Sequence, residues 1–331
     1  MNIRELAALA NVSPATVSLV LNNKTGVGST TREYVLKLAE ENNYRIPAPA
    51  KQKNILFLKY IKHGLIVEEN AGFISTIIDS IENDCRAQGY SLSIVVSEHS
   101  LESTLLNINY TNFHGIIFLG TELDENSYPL LDRIPIPYIV IDNIMPHFHC
   151  SSIAIDNHEI VYDALSHLKE LGHKEIGYFK SNISIQNFLE RSESFYQNAN
   201  RFGFTFHLEN QFCIPPTLLG AFQATTEYLK VHPKLPSCAF ADNDTIAIGV
   251  IKALKKSGYR VPEDISIIGF DDIPFAAINS PTLSTMSVPK KAMGSLALQS
   301  LHDMIINHRN IIQKTRVGGM LVPRHSTSNH S

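Results

Sequence analysis

Residues 3–18 read Ile3-Arg4-Glu5-Leu6-Ala7-Ala8-Leu9-Ala10-Asn11-Val12-Ser13-Pro14-Ala15-Thr16-Val17-Ser18. Asn2 lies three residues before Glu5, a spacing typical of a capping pair at the start of a helix. Ser13 and Pro14 predict a second helix, because serine caps a helix N-terminus and proline fits the first helical position. Asn11 falls between the two helices, where a residue that tolerates positive φ is favoured. The stretch therefore predicts two short helices joined by a tight turn.

The residues that follow predict a third helix. Thr30 and Glu33 form a second capping pair, so we expect the helix to begin near Ser29 or Thr30. Its buried face is predicted to consist of Val35, Leu38 and Ala39. Two short helices with a tight turn, backed by a third, make a helix-turn-helix.

In a helix-turn-helix the second helix enters the major groove of DNA and its first residues face the base edges. Here its outward side chains are small and uncharged, so it can approach the groove floor closely. The predicted DNA-contacting residues are Ser13, Pro14, Ala15, Thr16, Ser18, Leu19 and Asn22. The alternative is a three-helix bundle that only mediates protein contacts.

Charge and cysteine usage restrict the class of protein. The first 53 residues carry 7 basic and 4 acidic side chains, whereas the remainder carries 21 and 28, so a mildly basic head precedes an acidic body. The four cysteines are scattered without a CxxC pair, which predicts buried thiols in a reducing cytoplasm. No basic and apolar leader and no apolar run of bilayer length is present, so we expect a cytoplasmic protein without a membrane partner.

From Asn54 onward, short apolar runs alternate with longer helical stretches. Strands are predicted at Ile55–Lys59, Leu92–Val96, Gly115–Leu119, Tyr138–Ile141, Ile153–Ile155, Ile176–Phe179, Ala239–Ala241 and Ile265–Ile268. Helices are predicted at Ile74–Gln88, Ile160–Leu171, Phe188–Arg201, Phe222–Val231 and Thr245–Ser257. This alternation predicts doubly wound parallel α/β sheets, and so many strands indicate two subdomains with a cleft between them. No GxGxxG or GxxxxGK[ST] motif occurs, which disfavours a nucleotide-dependent enzyme.

The head resembles that of the LacI/GalR family of bacterial transcription regulators. The resemblance lies in residues 3–18, in Val20-Leu21-Asn22-Asn23, in Thr31-Arg32-Glu33-Tyr34-Val35 and in Asn43-Tyr44-Arg45. The family usually has arginine, which often reads guanine, where this chain has Leu19, so the operator is expected to differ from the common family sequence.

The body resembles the same family's sensor, which is similar to periplasmic binding proteins of type I. The matching stretches are Asp156-Asn157, Leu171-Gly172-His173-Lys174-Glu175-Ile176-Gly177-Tyr178, Val261–Asp272, Pro281–Thr285 and Arg324-His325-Ser326. The implied division is a DNA-binding head at 1–45, a linker at 46–54 and an effector-binding and dimerisation domain at 55–331. Subdomain 1 of that domain is expected at about 55–158 and 290–325, and subdomain 2 at about 159–289.

The linker departs from the family pattern. The family has an Ala-Arg-x-Leu segment that folds into a hinge helix on DNA and inserts leucines into the minor groove. Here Pro47 and Pro49 oppose a helix, no leucine is present, and the segment is several residues shorter. We therefore expect no hinge helix and less bending of the DNA. Lys51 and Lys53 are candidates for phosphate contacts, with solvated lysines as the alternative.

Four residues are candidates for contact with a small molecule in the cleft. Asp271 and Asn243 follow predicted strands, and ligands of open α/β sheets lie beyond the carboxyl ends of strands. The resemblance identifies Asn243 and Asp271 as hydroxyl-binding residues, Arg191 as the cleft arginine and Phe73 as a lining residue. Such a set suits a polyol, since carboxylate, guanidinium and amide bind hydroxyls and an aromatic ring covers C–H groups. The alternatives are that an aspartate near Asn243 caps the next helix and that Arg191 forms a surface ion pair.

The sequence predicts a transcription regulator and no enzyme. No catalytic residues are assigned, because no His–Ser or paired-carboxylate motif is present. No cofactor is expected, and His147-Phe148-His149-Cys150 is interpreted as a surface turn because it lacks a fourth metal ligand. The partners implied are a near-palindromic operator in double-stranded DNA, a sugar-like effector and a second copy of the chain. Family members make much of the dimer contact near Ile74–Glu82. The polar tail, Ser326–Ser331, lacks a heptad helix for a tetramer. We expect a repressor of carbohydrate-utilisation genes in which effector and DNA binding are coupled.

Overall fold

The computed structural model describes residues 1–22, 24–42, 44, 53–64, 71–98, 100–230, 234–308 and 311–330. The chain folds into two compact units, Met1–Lys53 and Asn54–Ser331. The linker predicted at 46–54 lies outside the described residues except for Lys53 and Asn54, which belong to the first strand. The predicted absence of a hinge helix and the predicted role of Lys51 therefore lie outside the described residues.

The described residues of the first unit form three helices, as predicted. These are α1 (Ile3–Leu9), α2 (Pro14–Leu21) and α3 (Ser29–Glu41). The capping box of Asn2 and Glu5 is formed, and Asn11 adopts a φ of 52° in the turn. The predicted capping pair of Thr30 and Glu33 is wrong. Because α3 already begins at Ser29, Gly28 is the cap residue and contributes no side-chain hydrogen bond.

A small apolar core holds the three helices together. Leu6, Val17 and Val35, one from each helix, are fully buried, and Val20 and Ala39 pack beside them. Burial of side chains of this size stabilises a fold by roughly 1.5–3 kcal/mol each. The core is small, so we expect the local caps to contribute a substantial share of the stability of this unit.

The second unit is built of two six-stranded sheets. The strands are β1 (Lys53–Tyr60), β2 (Tyr90–Ser97), β3 (Gly115–Leu119), β4 (Tyr138–Ile141), β5 (Ser152–Ile155), β6 (Ile176–Ser181), β7 (Gln211–Ile214), β8 (Cys238–Ala241), β9 (Ser266–Asp271), β10 (Ser284–Ser287), β11 (Lys314–Val317) and β12 (Met320–Val322). The order in the first sheet is β11-β5-β4-β3-β1-β2, and in the second β12-β10-β9-β8-β6-β7. In the first sheet, the pairs β1–β3, β3–β4, β4–β5 and β5–β11 are parallel. In the second sheet, the pairs β6–β7, β6–β8, β8–β9 and β9–β10 are parallel, whereas β12 runs antiparallel to β10.

Helices cover both faces of these sheets, as expected of a doubly wound fold. They are α4 (Ala71–Ala87), α5 (Leu101–Asn107), α6 (Asn157–Glu170), α7 (Gln186–Arg201), α8 (Leu218–Leu229), α9 (Asp244–Lys256), α10 (Pro274–Ile278) and α11 (Lys290–Asn307). In β1, Ile55 and Phe57 face one apolar core and Leu56 and Leu58 face another, and all four are fully buried. Burial on both faces explains why β1 is a continuous apolar run rather than an alternating one.

The chain crosses between the sheets three times. It leaves the first sheet after β5, returns to it through α11 and β11, and crosses again to β12. β12 lies within 290–325, the segment assigned to subdomain 1 from the sequence, yet it pairs in the second sheet. Gly318 and Gly319 precede it, and a Cβ at Gly319 would lie 2.6 Å from the Ser287 carbonyl oxygen. Because glycine permits this close approach, the chain can pair with β10 directly after β11. No long linker marks this crossing in the sequence.

Candidate functional sites

The turn between α1 and α2 presents the start of α2 to solvent. Ser13 Oγ accepts a hydrogen bond of 3.0 Å from the Thr16 backbone N–H, and Pro14 occupies the first turn of the helix. Val17 and Val20 anchor the opposite side of α2 in the core. The outward side of α2 is therefore fixed by the cap and by the apolar contacts beneath it.

The residues predicted to contact DNA all lie in α2 or at its ends. Ser13, Pro14, Ala15 and Asn22 are exposed, and Thr16, Ser18 and Leu19 are half-buried. Asn22 Nδ2 donates a hydrogen bond of 2.9 Å to the Ser18 carbonyl oxygen, so this amide is held against the last turn of the helix.

Arg32 connects α3 to the end of α2, a role that the sequence reasoning did not assign. Its guanidinium donates to the carbonyl oxygens of Val20 (3.4 Å) and Lys24. A cation at the carbonyl end of a helix is favoured by the helix dipole, so the contact stabilises α2 as well as its placement on α3.

A cavity in the second unit lies where the strands of both sheets end. It is lined by Phe73, Thr121, Asp142, Ile155, Ile185, Asn187, Phe188, Arg191, Asn243 and Asp271. Asp142 directly follows β4, Ile155 ends β5 and Asp271 ends β9, which is the carboxyl-end position expected for a ligand of an α/β sheet. The four candidates from the sequence, Phe73, Arg191, Asn243 and Asp271, thus come together in one place.

The cavity is nearly closed. Its free space of about 20 Å³ has room for about one water molecule. Small-molecule sites are usually of the order of 300–1,000 Å³. A ligand would therefore need the two sheets to move apart before it could enter.

Arg191 is buried and all three of its nitrogens are engaged. Nε donates to Asn157 Oδ1 (2.9 Å), Nη1 to the Asp242 carbonyl oxygen, and Nη2 lies 3.5 Å from Asp271 Oδ1. The guanidinium also lies 3.5 Å from the centroid of the Phe270 ring. The alternative of a surface ion pair is excluded, because the side chain is only 3% exposed.

Asp142 and Asn187 line the cavity although the sequence reasoning did not select them. Asn187 Nδ2 donates to Asp142 Oδ1 (3.0 Å) and to its carbonyl oxygen (3.1 Å), and the Thr121 hydroxyl donates to Oδ2. Burial raises the pKa of Asp142 to about 6, and the charge of Asp271 adds to the effect. Asp142 follows the apolar run Tyr138–Ile141 just as Asp242 follows Ala239–Ala241. The strand-end rule therefore could have found it.

Asn243 caps α9 and also lines the cavity. Its Oδ1 accepts a hydrogen bond of 2.9 Å from the Ile246 backbone N–H, so the cap is Asn243 itself rather than Asp242 or Asp244. Asp244 is instead buried behind the cavity, where it accepts from the Thr285 hydroxyl and from the Ile273 backbone N–H (2.9 Å). The Asn243 oxygen is therefore used by the helix, and its amide N–H groups are the donors that suit a ligand.

Lys290 connects α11 to the strand end that carries Asp271. Its ammonium donates to the carbonyl oxygens of Asp271 and Asp272 and lies 5.7 Å from the centroid of the Phe73 ring. Asp271 and Asp272 have φ values of 106° and 51°, a conformation that side-chain-bearing residues rarely adopt. Strained backbone of this kind concentrates at functional sites, and here it turns the Asp271 side chain toward Arg191.

A groove lies beside the cavity. It is about 320 Å³ in volume, and Ile185 lines both the groove and the cavity. Residues 62–63, 122–125 and 128 form one wall and residues 184–186 and 189 the other. Glu122 accepts hydrogen bonds from the backbone N–H groups of Lys62 (2.7 Å) and His63 (2.6 Å). The groove is thus the outer part of the cleft between the two sheets.

The described residues contain no group of three histidine, cysteine, aspartate or glutamate side chains placed to hold a metal ion. Within the described part of the chain, no helix combines the length and apolarity needed to span a bilayer. All four cysteines are free thiols, and the prediction that they are buried is wrong for Cys213, which is exposed on β7.

A helix-turn-helix followed by a body with a cleft between two parallel sheets defines the class of ligand-responsive transcription regulators. Residues 2–46 match the family model for bacterial regulatory proteins of the lacI family, and residues 165–327 match that for a periplasmic binding protein-like domain. The chain is 32% identical over 326 residues to the transcriptional repressor PurR of Haemophilus influenzae, covering 94% of this chain and 93% of the relative. It is 30% identical over 314 residues to PurR of Pasteurella multocida, covering 92% and 91%. The chain belongs to the lacI family, and it is a DNA-binding transcription regulator.

Solved structures share the fold. A lac repressor dimer bound to operator and the anti-inducer ONPF superposes with a TM-score of 0.75 at 22% identity, over 99% of both chains. The transcriptional regulator CelR in complex with cellobiose gives a TM-score of 0.73 at 22% identity, over 98% of this chain and 99% of that one. A LacI-family regulator from Enterococcus faecium with bound ribose gives 0.71 at 23% identity, over 84% and 100%. At these identities the likeness concerns the fold alone.

Proposed function

We propose that this regulator represses carbohydrate-utilisation genes and that a sugar-like effector controls its affinity for a near-palindromic operator. The observation that carries the proposal is the cavity at the strand ends, where Arg191, Asn243 and Asp271 meet beside the ring of Phe73. Carboxylate, guanidinium and amide groups beside aromatic rings suit hydroxyls on one side of a sugar and C–H groups on the other. Solved structures of regulators with this fold, in complex with cellobiose and with ribose, support this class of effector.

The head is proposed to read the operator through α2. Residues 1–45 form the DNA-binding domain in this proposal, with 46–54 as the linker and 55–331 as the effector-binding and dimerisation domain. Ala15 and Leu19 face base edges, Asn22 binds a base or a phosphate, and the hydroxyls of α2 bind phosphates. A helix with no charged side chain on its outward face makes its specific contacts by hydrogen bonds and methyl contacts rather than by ion pairs.

A homodimer is proposed because apolar side chains are exposed together on the second sheet's side of the body. Leu219 is 64% exposed, and Phe275 and Ile278 on α10 are 64% and 74% exposed. Leu218 and Phe275 line one apolar hollow, so these elements are neighbours. Exposed apolar patches of this kind mark interaction surfaces, and two copies are needed to read two half-sites.

The proposal is tested by mobility shift with DNA from around the protein's own gene, at two salt concentrations and with a panel of sugars. We expect a specific shift that weakens with salt and changes with one class of sugar. Ala15→Glu is expected to abolish the shift, because it places a carboxylate at the exposed start of α2. Ala8→Glu, the same change at an exposed position of α1, is the control. A specific shift unaffected by Ala15→Glu would refute the role of α2.

We propose that the protein acts in the cytoplasm, without a cofactor and without catalytic turnover. Sugars incubated with the purified protein should be recovered unchanged, and conversion of any of them would refute this part of the proposal.

A further inference from the structure

The charges lining the cavity are unbalanced. Among the described lining residues the acidic groups are Asp142 and Asp271 and the cation is Arg191. Behind the wall, Asp242 is fully buried, and Lys290 donates to backbone carbonyl oxygens. Asp244 is also buried there, but burial raises its pKa to about 8, so it adds little negative charge at neutral pH. Arg191 donates three of its five N–H groups to Asn157, Asp242 and Asp271, and the carboxylate of Asp271 offsets its charge. The floor of the cleft is therefore suited to a ligand that donates hydrogen bonds or carries a positive charge.

Of the two carboxylates that line the cavity among the described residues, Asp142 is the one without an ion pair, whereas Asp271 pairs with Arg191. The Asp142 carboxylate accepts from the Thr121 hydroxyl and the Asn187 amide, both of which are neutral, and no ion pair to it occurs among the described residues. Burial raises its pKa to about 6, whereas the charge of Arg191 acts in the opposite direction. A buried carboxylate without a cation is costly, and a ligand that supplies the cation recovers that cost.

The mouth of the cleft has the same sign of charge. Glu122, Asp124 and Glu125 line the groove against one ammonium, that of Lys62, which pairs with Asp124. A groove lined by one sign of charge raises the local concentration of the opposite ion and repels ligands of its own sign. A sugar phosphate would thus meet carboxylates both at the entrance and on the floor.

We propose that the effector is an amino sugar whose protonated amine binds the Asp142 carboxylate. Its C–H face packs against Phe73 and Phe188, which line the same cavity, and a cation beside these rings gains a further attraction. Its hydroxyls bind Asn243 and Asp271, and a second sugar ring extends into the groove. This inference rests on the proposed function, since it specifies the class of sugar that the same cleft recognises.

The test is titration calorimetry of the full-length protein with ligands that differ in the group at C2 or by one phosphate. Glucosamine, glucose, N-acetylglucosamine and glucosamine 6-phosphate form one set, repeated for the manno and galacto series and for the β-1,4-linked gluco dimers. Within at least one set the free amine is expected to bind ten-fold or more tightly than the hydroxyl and acetamide counterparts. The proposal would be overturned if, in every set that contains a binding ligand, the neutral or phosphorylated member bound more tightly than the free amine.

Asp142→Asn separates charge from shape. The amide retains an acceptor for Thr121 or Asn187 but not the negative charge, so the preference for the amine should fall to within about twofold. Asp264→Asn, which removes a carboxylate from the exposed ion pair with Arg260, should leave the preference unchanged. An amine preference that survives Asp142→Asn in protein with an unchanged melting temperature would overturn the placement at Asp142.

The outcomes also distinguish this inference from the proposed function. A neutral sugar that binds best and changes the DNA shift would overturn the amino-sugar proposal and leave the sugar-controlled regulator intact. An absence of response to every member of the panel, with a specific DNA shift still present, would overturn the sugar-effector proposal together with this one.

Discussion

Replacing Arg316 by methionine is predicted to open the cleft of the ligand-free protein. Arg316 lies on β11 of the first sheet and donates two hydrogen bonds, of 2.8 and 2.9 Å, to the carboxylate of Glu190 on α7. The side chains are 31% and 6% exposed. Burial alone would raise the pKa of Glu190, but hydrogen bonds from Arg316 and Asn157 hold it below its usual value. The pair joins the first sheet to a helix of the second.

The magnitude follows from this burial. Removing one partner of a fully buried ion pair costs roughly 3–5 kcal/mol. Because Arg316 is about one-third exposed, water screens part of the interaction, and we expect about 2 kcal/mol. Opening the cleft exposes Glu190 to water and relieves the cost, so the loss falls on the closed form. A change of about 2 kcal/mol lowers the ratio of closed to open protein roughly thirtyfold.

Spin labels at Glu125→Cys and Leu189→Cys, on opposite walls of the groove, report the width of the cleft by pulsed electron paramagnetic resonance. Cys213→Ser removes the exposed native thiol. Arg316→Met should add a population at longer distance, and Arg260→Met, which breaks a solvent-exposed ion pair, should not. A distance distribution identical to that of the unsubstituted protein would refute the reasoning that this pair holds the cleft closed.

The remaining predictions concern the head, the packing of the body and its pH dependence. Ser13→Ala should destabilise the head by about 1 kcal/mol through loss of the α2 cap, and it should weaken operator binding in the mobility shift. The control is Ser100→Ala, which removes the cap of α5 and should leave operator binding unchanged. Gly249→Ala should lower the free energy of unfolding by about 1–3 kcal/mol, because its Cβ would lie 2.7 Å from the Leu218 carbonyl oxygen, whereas Gly318→Ala meets open space; urea unfolding compares them. Burial raises the pKa of Asp244 to about 8 in the folded protein, so the stability that its protonated form contributes is lost as the pH rises from about 4 to 8. Asp244→Asn should therefore reduce the dependence of the melting temperature on pH over that range. Equal pH dependence of the melting temperature in both proteins would contradict the raised pKa.

The fold was predictable where local signals and burial agree. In α2, the serine cap, the proline and the apolar spacing all indicate the same helix, and the structure confirms its start. The long apolar strands were predictable for the same reason, since β3 is buried at every position.

The short strands β7, β10, β11 and β12 were not predicted, and β10 shows that tertiary contacts rather than local sequence can form such a strand. β10 reads Ser284-Thr285-Met286-Ser287, a polar stretch by sequence, yet its first three residues are buried between β9 and β12. Its polar groups are satisfied by distant partners, such as Asp244 for the Thr285 hydroxyl and Ser326 for the Ser284 backbone N–H. No pattern within four residues carries that information.

In the cleft, the strand-end rule and the family resemblance identified residues that line the cavity but not the residues that join its two walls. Asn157 illustrates the reason. Its Nδ2 donates to Asn187 Oδ1 and Glu190 Oε2, and its Oδ1 accepts from Arg191 Nε, each at 2.9 Å. These partners lie about 30 residues away in the sequence, so only the folded chain shows that one amide organises all of them.

One face of α7 supplies both groups that line the cavity and contacts between the two sheets. Glu190 and Arg191 follow Asn187 by three and four residues, which places both on the same side of the helix as Asn187. Asn187 and Glu190 bind the first sheet at Asp142 and Arg316, whereas Arg191 binds the second sheet at Asp242 and Asp271. In the proposed complex, the ligand amine and Asn187 share the Asp142 carboxylate, so the ligand binds at the point where α7 contacts the first sheet. The strength of allosteric control would then be set by how much that binding differs between the closed and open forms, since a ligand shifts a conformational equilibrium only by its differential affinity for the two states.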